Sequence, residues 1–314
     1  MKHNDTNTFL VSTIVRGALP WEASAYFYRV TLDGDVVRFA LPEARLRHKD
    51  PNPRGGMRGA RGIAVCDEDI FIANFDTVFR FDRDLRLVDS MSSAYCADIH
   101  DLCVHDGRLW AASTRNDTLI AFDRRGKVDE IINLRARLDM FELVGALPSA
   151  VDYRDPETHE QRSADRLHVN SFAFDSDGGV LVSVGQFRCN AHAESAVVQI
   201  DRRGMTRTLH RSRSAAVPAH NIVLRADGSM LRADTENGVV VALYPDRPDD
   251  VTAIIEVESG YVRGLCLIDD VRFLLGVQNE IWVCDGARGA VLRKISISAD
   301  ARESVHSIVA YACL

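Results

Sequence analysis

One short block of sequence recurs six times along the chain, and this repetition constrains the fold more than any other feature. The copies are ARGIAV at 60–65, IHDLCV at 99–104, VNSFAF at 169–174, AHNIVL at 219–224, VRGLCL at 262–267 and VHSIVA at 305–310. Anchored at residues 61, 100, 170, 220, 263 and 306, they lie 39, 70, 50, 43 and 43 residues apart. Repeats of about 20–50 residues are typical of propellers, solenoids and other arrays.

The residues that follow each block predict four strands per repeat. The middle copies continue into an Asp-Gly or Gly-Gly turn and a second apolar strand, as in HDGRLWAAS at 105–113. Such dipeptides between alternating hydrophobic residues are typical of β-hairpins, because these turns need positive φ angles. A third strand ends in an aspartate turn, as in TLIAFDRRG at 118–126, and a fourth follows it. Four-stranded repeats of this kind predict propeller blades.

The two ends of the chain complement each other. No room remains after the last block for three more strands, whereas the N-terminus supplies three strands without an innermost partner. We therefore predict an all-β fold over residues 1–314, a single six-bladed β-propeller domain closed by pairing of its N- and C-terminal strands. The apolar spacing within residues 134–167 predicts a short helical insertion that forms a lid over the funnel.

Composition limits the classes of partner. The formal charge is −7 and no run of lysine and arginine is present, which argues against a nucleic-acid partner. No stretch approaches 18 consecutive apolar residues and the N-terminus lacks an apolar signal region, so we expect no membrane segment and a cytoplasmic location. The seven cysteines include no CxxC pair, which argues against a disulfide framework or a zinc ribbon.

The first polar position of each innermost strand provides the candidate site. Around the ring these residues are His306, Arg61, His100, Asn170, His220 and Arg263. Strand side chains alternate with period 2, so equivalent positions should project the same way, into the central funnel. Three imidazoles from alternate blades are a common ligand set for a divalent metal with open coordination positions. We predict that His100, His220 and His306 bind Fe(II), with Zn, Mn or Cu as alternatives.

Arginines beside such a metal point to an anion between the positive charges, or else argue against the metal. We predict that Arg61 and Arg263 bind a small anionic substrate, while Asn170 and His168 act on it by hydrogen bonding or proton transfer. His168 has two other interpretations, as a fourth ligand or as a surface residue. Further substrate-binding candidates at the ends of the second strands, which are otherwise polar loop ends, are Asn74, Arg115, Gln186, Asp234 and Gln278.

Several of these blocks form a recognisable series. The runs are Asp98-Ile99-His100-Asp101-Leu102, Gly107 to Trp110, Asp165 to Asn170, Pro218-Ala219-His220 and Arg263-Gly264-Leu265. Over roughly residues 58 to 310 this series resembles an uncharacterised bacterial propeller-like family, and the resemblance implies a propeller without implying an established activity. The chain departs from that pattern at Ala219, which is inserted, and at His306, where the family pattern leads us to expect an acidic residue.

Two functional hypotheses follow. The layout of histidines resembles the metal sites of carotenoid-cleaving oxygenases and of some propeller lyases, which favours a metal-dependent oxidoreductase or lyase. The alternative is a non-catalytic propeller that binds a ligand or peptide without metal. The pattern is compatible with any oligomeric state.

Overall fold

A computed structural model of the protein describes residues 7–19, 21–42, 59–123, 125–137, 165–189, 192–213, 217–258 and 261–311. Its strands form six four-stranded antiparallel sheets. Blade 1 contains β24 (Glu303–Ala310), β1 (Thr8–Val15), β2 (Ala25–Thr31) and β3 (Val36–Ala40), in that order. Blade 2 contains β4 (Ile63–Cys66), β5 (Asp69–Ala73), β6 (Thr77–Phe81) and β7 (Leu87–Ser92). Blade 3 contains β8 (Ile99–His105), β9 (Arg108–Ser113), β10 (Thr118–Phe122) and β11 (Val128–Asn133).

The second half of the ring repeats the pattern. Blade 4 contains β12 (Val169–Phe174), β13 (Val180–Cys189), β14 (His192–Ile200) and β15 (Thr206–Arg213). Blade 5 contains β16 (Ile222–Leu224), β17 (Met230–Asp234), β18 (Val239–Tyr244) and β19 (Arg247–Glu256). Blade 6 contains β20 (Val262–Leu267), β21 (Arg272–Val277), β22 (Glu280–Asp285) and β23 (Ala290–Ser296). The predicted six-bladed β-propeller is confirmed.

The ring closes through blade 1, as predicted. Strand β24 pairs antiparallel with β1 over Phe9 to Val15, so the last strand of the chain is the innermost strand of the first blade. The buried Glu303 carboxylate strengthens this junction, because it accepts hydrogen bonds from the Tyr28 hydroxyl, at 2.7 Å, and from Thr13. Closure pairs the inner side of β1, which would otherwise be a free edge at which another chain could add a strand.

The core consists of six hydrophobic clusters, one between each pair of neighbouring blades. Alternate residues of one strand serve two clusters. In β1, Phe9 and Val11 pack towards blade 6, whereas Leu10 packs towards blade 2. Each blade therefore buries both faces, as the near-continuous apolar character of the second and third strands requires.

Side chains also link the innermost strands of neighbouring blades. The backbone N–H of Phe172 donates to Asp101, that of Ile222 to Ser171, and that of Gly264 to Asn221, at 3.4, 3.3 and 2.7 Å. Each acceptor directly follows one of the six polar residues that begin the innermost strands, which we call the ring residues. The ring residue is thus free to face the funnel while its neighbour bonds to the next blade.

The helical lid lies mostly outside the described residues. A four-residue helix, α1 (Leu134–Arg137), begins the insertion, whereas residues 138–164 are not described. The lid therefore stays a prediction. In the described part of the chain, no helix has the length and apolar character needed to cross a membrane.

Candidate functional site

Three buried histidines from alternate blades meet in the central funnel. The exposed fractions of His100, His220 and His306 are 5%, 1% and 2%. The ring centroids of His100 and His306 lie 5.6 Å apart, and those of His220 and His306 lie 6.5 Å apart. Both pairs are nearly perpendicular, at 88° and 81°. The structure thus brings together the three imidazoles that the repeat placed at equivalent positions.

β-bulges place several of the ring residues. The pairing of β8 with β9 changes register between Ile99 and Asp101, which leaves His100 as the extra residue. Asn170 in β12 and His306 in β24 occupy the same extra position in their own strands. A bulge bends the strand locally and redirects a side chain, and bulges are common beside functional sites. Here the same irregularity recurs around the ring and turns these side chains into the funnel.

The tautomer of His100 follows from the amide of Asn170. The Asn170 side-chain N–H₂ donates to the carbonyl oxygen of Ala219 at 2.6 Å, so its oxygen is the atom that contacts Nδ1 of His100. Nδ1 therefore carries the hydrogen, and Nε2 presents a lone pair. Burial, aided by the nearby Arg61 cation, lowers the pKa of His100 to about 3. The ring is neutral at pH 7.

A hydroxyl group fixes His220 in the same way. The Thr235 hydroxyl donates to the carbonyl oxygen of Val262 at 2.8 Å, so it accepts the hydrogen of His220 Nδ1, 2.6 Å away. Nε2 of His220 is buried and has no hydrogen-bond partner among the described residues. Burial and the positive charge of Arg263 hold the pKa of His220 well below its usual value. This ring too is a neutral acceptor.

His306 lies between the other two rings, and its own ring makes no hydrogen bond to a described residue. Both of its ring nitrogens are buried without a partner in the described chain. Burial, with Arg263 as the largest charge effect, holds the pKa of His306 well below its ordinary value. An unsatisfied buried polar group costs about 1–3 kcal/mol. Two of the three neutral imidazoles, His220 and His306, thus carry buried ring nitrogens that no described group satisfies.

The three histidines are suitable ligands for a metal ion, but their side chains are not placed so that they could hold one. Imidazoles that bind metals usually donate their second ring N–H to a neighbouring acceptor, as His100 and His220 do here. Within the described ranges, however, no three or more His, Cys, Asp or Glu side chains are arranged so that they could hold an ion. Binding an ion would require the rings to shift from these positions. The three-histidine metal centre therefore stays a prediction.

The two ring arginines differ in their surroundings. Arg61 forms a buried ion pair with Asp98 at 2.9 Å, and the other Asp98 oxygen lies 3.6 Å from Nε2 of His100. Arg263 makes no ion pair with any described carboxylate. Its guanidinium lies 4.5 Å from the ring centroid of Tyr261 and donates to the Tyr261 hydroxyl. Of the two predicted anion-binding arginines, Arg61 is already neutralised by a carboxylate.

His168 is held at the edge of the histidine cluster by its own loop. Nδ1 lies 2.7 Å from one Asp165 oxygen, and the backbone N–H donates to the other at 2.9 Å. The ring meets His100 edge to face, with centroids 5.2 Å apart. Burial disfavours the charged ring, but the Asp165 carboxylate outweighs burial and raises the pKa of His168. His168 can therefore hold a proton beside a neutral imidazole.

Asp117 supports the loop that carries His168. This fully buried carboxylate accepts hydrogen bonds from the backbone N–H groups of Arg166 and Leu167, at 2.8 and 3.1 Å. It also forms a buried ion pair with Arg135 of α1 at 2.6 Å. The start of the insertion and the residues before β12 are thereby fixed to blade 3.

The five candidates at the ends of the second strands lie in turns and at strand ends. Asn74 accepts the backbone N–H groups of the turn that follows it, and Asp234 bonds both the backbone and the side chain of Asn237. The Arg115 guanidinium lies over Phe75, Gln186 is half-buried in β13, and Gln278 is exposed with φ of 51°. Their role in substrate binding stays a prediction.

Two residues of the site were within reach of the sequence argument and were missed. Asp98 precedes His100 by two residues and Tyr261 precedes Arg263 by two. Residues two apart along a strand project to the same side, so alternation could have identified both of them. Thr235 and Arg16 lie outside the innermost strands, and only the folded chain brings them to the funnel.

Comparison with known proteins supports the architecture alone. No protein-family model matches the sequence, and no curated protein matches it. The solved structure of a nidogen/laminin complex contains a similar chain, with a TM-score of 0.64 and 9% identity over 97% of this chain and 98% of that one. XC5397, a gluconolactonase from Xanthomonas campestris, is similar with a TM-score of 0.56 and 12% identity, over 79% and 78% of the two chains.

A third similar structure is virginiamycin B lyase from Staphylococcus aureus, with a TM-score of 0.52 and 11% identity over 96% of this chain and 88% of that one. At these identities the likeness shows the fold and carries no site residue across. The propeller implied by the sequence blocks is confirmed, whereas the particular family that they resemble stays a prediction.

Proposed function

We propose that the protein is a metal-dependent enzyme that acts on a small anionic substrate in the central funnel. The observation that carries the proposal is the meeting of three buried, neutral imidazoles, His100, His220 and His306, of which His220 and His306 have nitrogens that no described group satisfies. These residues would hold the ion, Fe(II) foremost and Zn, Mn or Cu as alternatives. Propeller enzymes among the similar structures, a gluconolactonase and a lyase, are consistent with an enzymatic role.

The chain's own residues supply acid–base and positioning groups. An ion held by neutral imidazoles keeps its full charge and would polarise a carbonyl or activate dioxygen. Asp165 orients the ring of His168 next to His100, where His168 would transfer a proton to or from the substrate. Asn170 orients His100 through its amide oxygen and would hydrogen-bond substrate with the remaining lone pair of that oxygen or with its second N–H. The proposal therefore covers both lyase and oxidoreductase chemistry.

The test is the metal content of the purified protein and of one variant. Purified wild type, reconstituted with Fe(II), Zn, Mn or Cu, should retain about one ion per chain. His220→Ala should lose at least nine-tenths of it, because one of only three ligands is removed. His105→Ala is the matched control, since His105 stacks on Phe174 at the opposite end of β8 and should leave metal content unchanged.

Two results would contradict the proposal. Wild type that retains no ion after reconstitution would leave the rival, a non-catalytic propeller that binds a ligand or peptide without metal. The absence of a ready-made ion site among the described side chains is the observation that favours this rival. Full metal content in His220→Ala would remove His220 from the ligand set.

A further inference from the structure

The charges in the funnel are divided between two sides. On one side, the Asp98 and Asp165 carboxylates balance Arg61 and His168. On the other side lie Arg263 and Arg16, and in the described chain neither is within 4.0 Å of a carboxylate oxygen. Arg263 is buried, at 7% exposure, and a buried cation without a counter-ion is costly. Among the described residues, Asp98 acts on Arg263 only at longer range, so no carboxylate contacts either cation on this side.

Tyr261 joins the two cations. The Arg16 guanidinium carbon lies 3.7 Å from the Tyr261 ring centroid, and that of Arg263 lies 4.5 Å from it. Interaction of a cation with an aromatic ring contributes about 0.5–2 kcal/mol, which offsets the repulsion between two guanidinium groups only in part. Burial lowers the pKa of Arg263 to about 9, and the charges of Arg16 and Arg61 add to this effect. The Tyr261 ring thus holds Arg16 and Arg263 close together, but it does not neutralise their positive charges.

The hydrogen-bonding groups at this side are donors. Nε of Arg263 is buried and has no partner among the described residues. The Tyr261 hydroxyl oxygen accepts from Nη2 of Arg263, so its own hydrogen is available to another acceptor. The side chain of Arg16 is exposed at the mouth, and its Nε donates to Ser304 at 3.1 Å. Two free donors beside two cations match the two oxygens and single charge of a carboxylate.

We infer that Arg263, Tyr261 and Arg16 form a carboxylate-binding subsite at the mouth of the funnel. The subsite lies against the histidine cluster, because the Tyr261 and His220 ring centroids are 6.0 Å apart. The substrate is thus a small carboxylic acid whose charged end is held at Tyr261 and whose reacting part reaches the histidines. This inference deepens the proposed function and rests on it for the place of the reaction, but binding of the carboxylate does not require the metal.

The inference also changes the assignment of the two arginines. Arg61 was predicted to share the substrate anion with Arg263, yet Asp98 neutralises it at 2.9 Å. A carboxylate placed at Arg61 would meet the Asp98 carboxylate, and like charges repel. Arg16, which lies outside the repeated blocks, takes its place.

Calorimetric titration with sodium acetate tests the subsite, with inorganic phosphate at matched ionic strength as the comparison anion. The full-length protein is used as purified and again after treatment with a chelator. Acetate should bind in both states and more tightly than phosphate. Tyr261→Phe keeps the aromatic ring and should weaken acetate about tenfold, as loss of a hydrogen bond to a charged group does. Arg16→Gln should weaken it several-fold, and its exposed position makes unfolding no concern.

Arg272→Gln is the matched control, because Arg272 pairs with Asp269 on the surface and should not alter acetate binding. Equal acetate affinity in wild type, Tyr261→Phe and Arg16→Gln would overturn the inference, and so would tighter binding of phosphate than of acetate. Metal content measured on the same preparations separates the two proposals. Acetate binding with the expected residue dependence in a metal-free wild type would contradict only the metal, whereas retained metal without that dependence would contradict only the subsite.

Discussion

The orientation of His220 depends on one hydroxyl group, that of Thr235. Because this hydroxyl donates its hydrogen to the carbonyl oxygen of Val262, it accepts a hydrogen bond from Nδ1 of His220. The lone pair of the ring is thereby directed into the funnel through Nε2. Thr235 touches neither the other histidines nor the arginines in the described contacts, so it acts on any ligand only through His220.

Replacing Thr235 by valine tests this positioning role. The valine keeps the shape of the side chain but removes the acceptor, so the His220 ring is free to turn or to change tautomer. We expect affinity for the bound metal to fall about 10–100-fold, as for other groups that orient metal-binding histidines. Competition with a chelating dye measures the affinity. Thr252→Val, on the exposed strand β19, should leave it unchanged, and equal affinity in both variants would contradict the role of Thr235.

Single residues also show where sequence reasoning succeeds. His100, His220 and His306 could be assigned to one funnel because equivalent positions of a repeat occupy equivalent places in a ring. The partners Asp98 and Tyr261 were not predicted, although strand alternation could have identified them. The neutralisation of Arg61 by Asp98 could not be predicted. An ion pair depends on side-chain distances of a few ångströms, and the spacing of residues in the sequence does not give these distances.

At the level of strands, the repeated blocks predicted the innermost strands but not their irregularities. In blades 2 and 5 the regular strand begins after the ring residue, at Ile63 and Ile222. Arg61 and His220 nevertheless keep a backbone bond to the second strand, to Ala73 and Ala233, at 2.8 and 3.0 Å. The bulges at His100, Asn170 and His306 likewise have no recognisable signature in the sequence. Register is set by pairing with the neighbouring strand, which a one-dimensional pattern does not contain.

Strand β15, at the outer edge of blade 4, carries a histidine that makes this edge sensitive to acid. Burial, together with the positive charge of Arg232 and against the effect of Asp234, lowers the pKa of His210 to about 4. The ordinary value near 6.5 applies to the unfolded chain. Between these pH values the unfolded chain binds the proton and the folded one does not. The stabilisation is therefore complete above pH 6.5 and is lost as the pH falls towards 4.

Comparison with His210→Gln isolates this effect from other titrating groups. Urea unfolding at pH 7 and at pH 5 measures the free energy of unfolding of both proteins. We expect the wild type to lose more stability than the variant between the two pH values, because the glutamine does not titrate. An equal loss in both proteins would show that the pKa of His210 is not lowered by folding.

At the scale of the whole molecule, the ring architecture explains why one funnel collects residues from all six blades. Each blade contributes the same position of its innermost strand, so residues as distant in sequence as His100 and His306, which are 206 positions apart, come into contact. The closure by β24 is part of the site as well as of the fold, since it carries His306. Disruption of the β1–β24 pairing would therefore remove both the ring and the central imidazole.

The account as a whole depends on the three histidines sharing one bound ion. Anomalous diffraction from crystals of the protein grown with Fe(II), Zn, Mn or Cu tests this most directly. We predict one strong anomalous peak among the imidazoles of His100, His220 and His306, at metal–nitrogen distances of about 2.0–2.1 Å for zinc. Well-ordered rings with no peak between them at any of these metal edges, or a peak bound by other residues, would contradict the account.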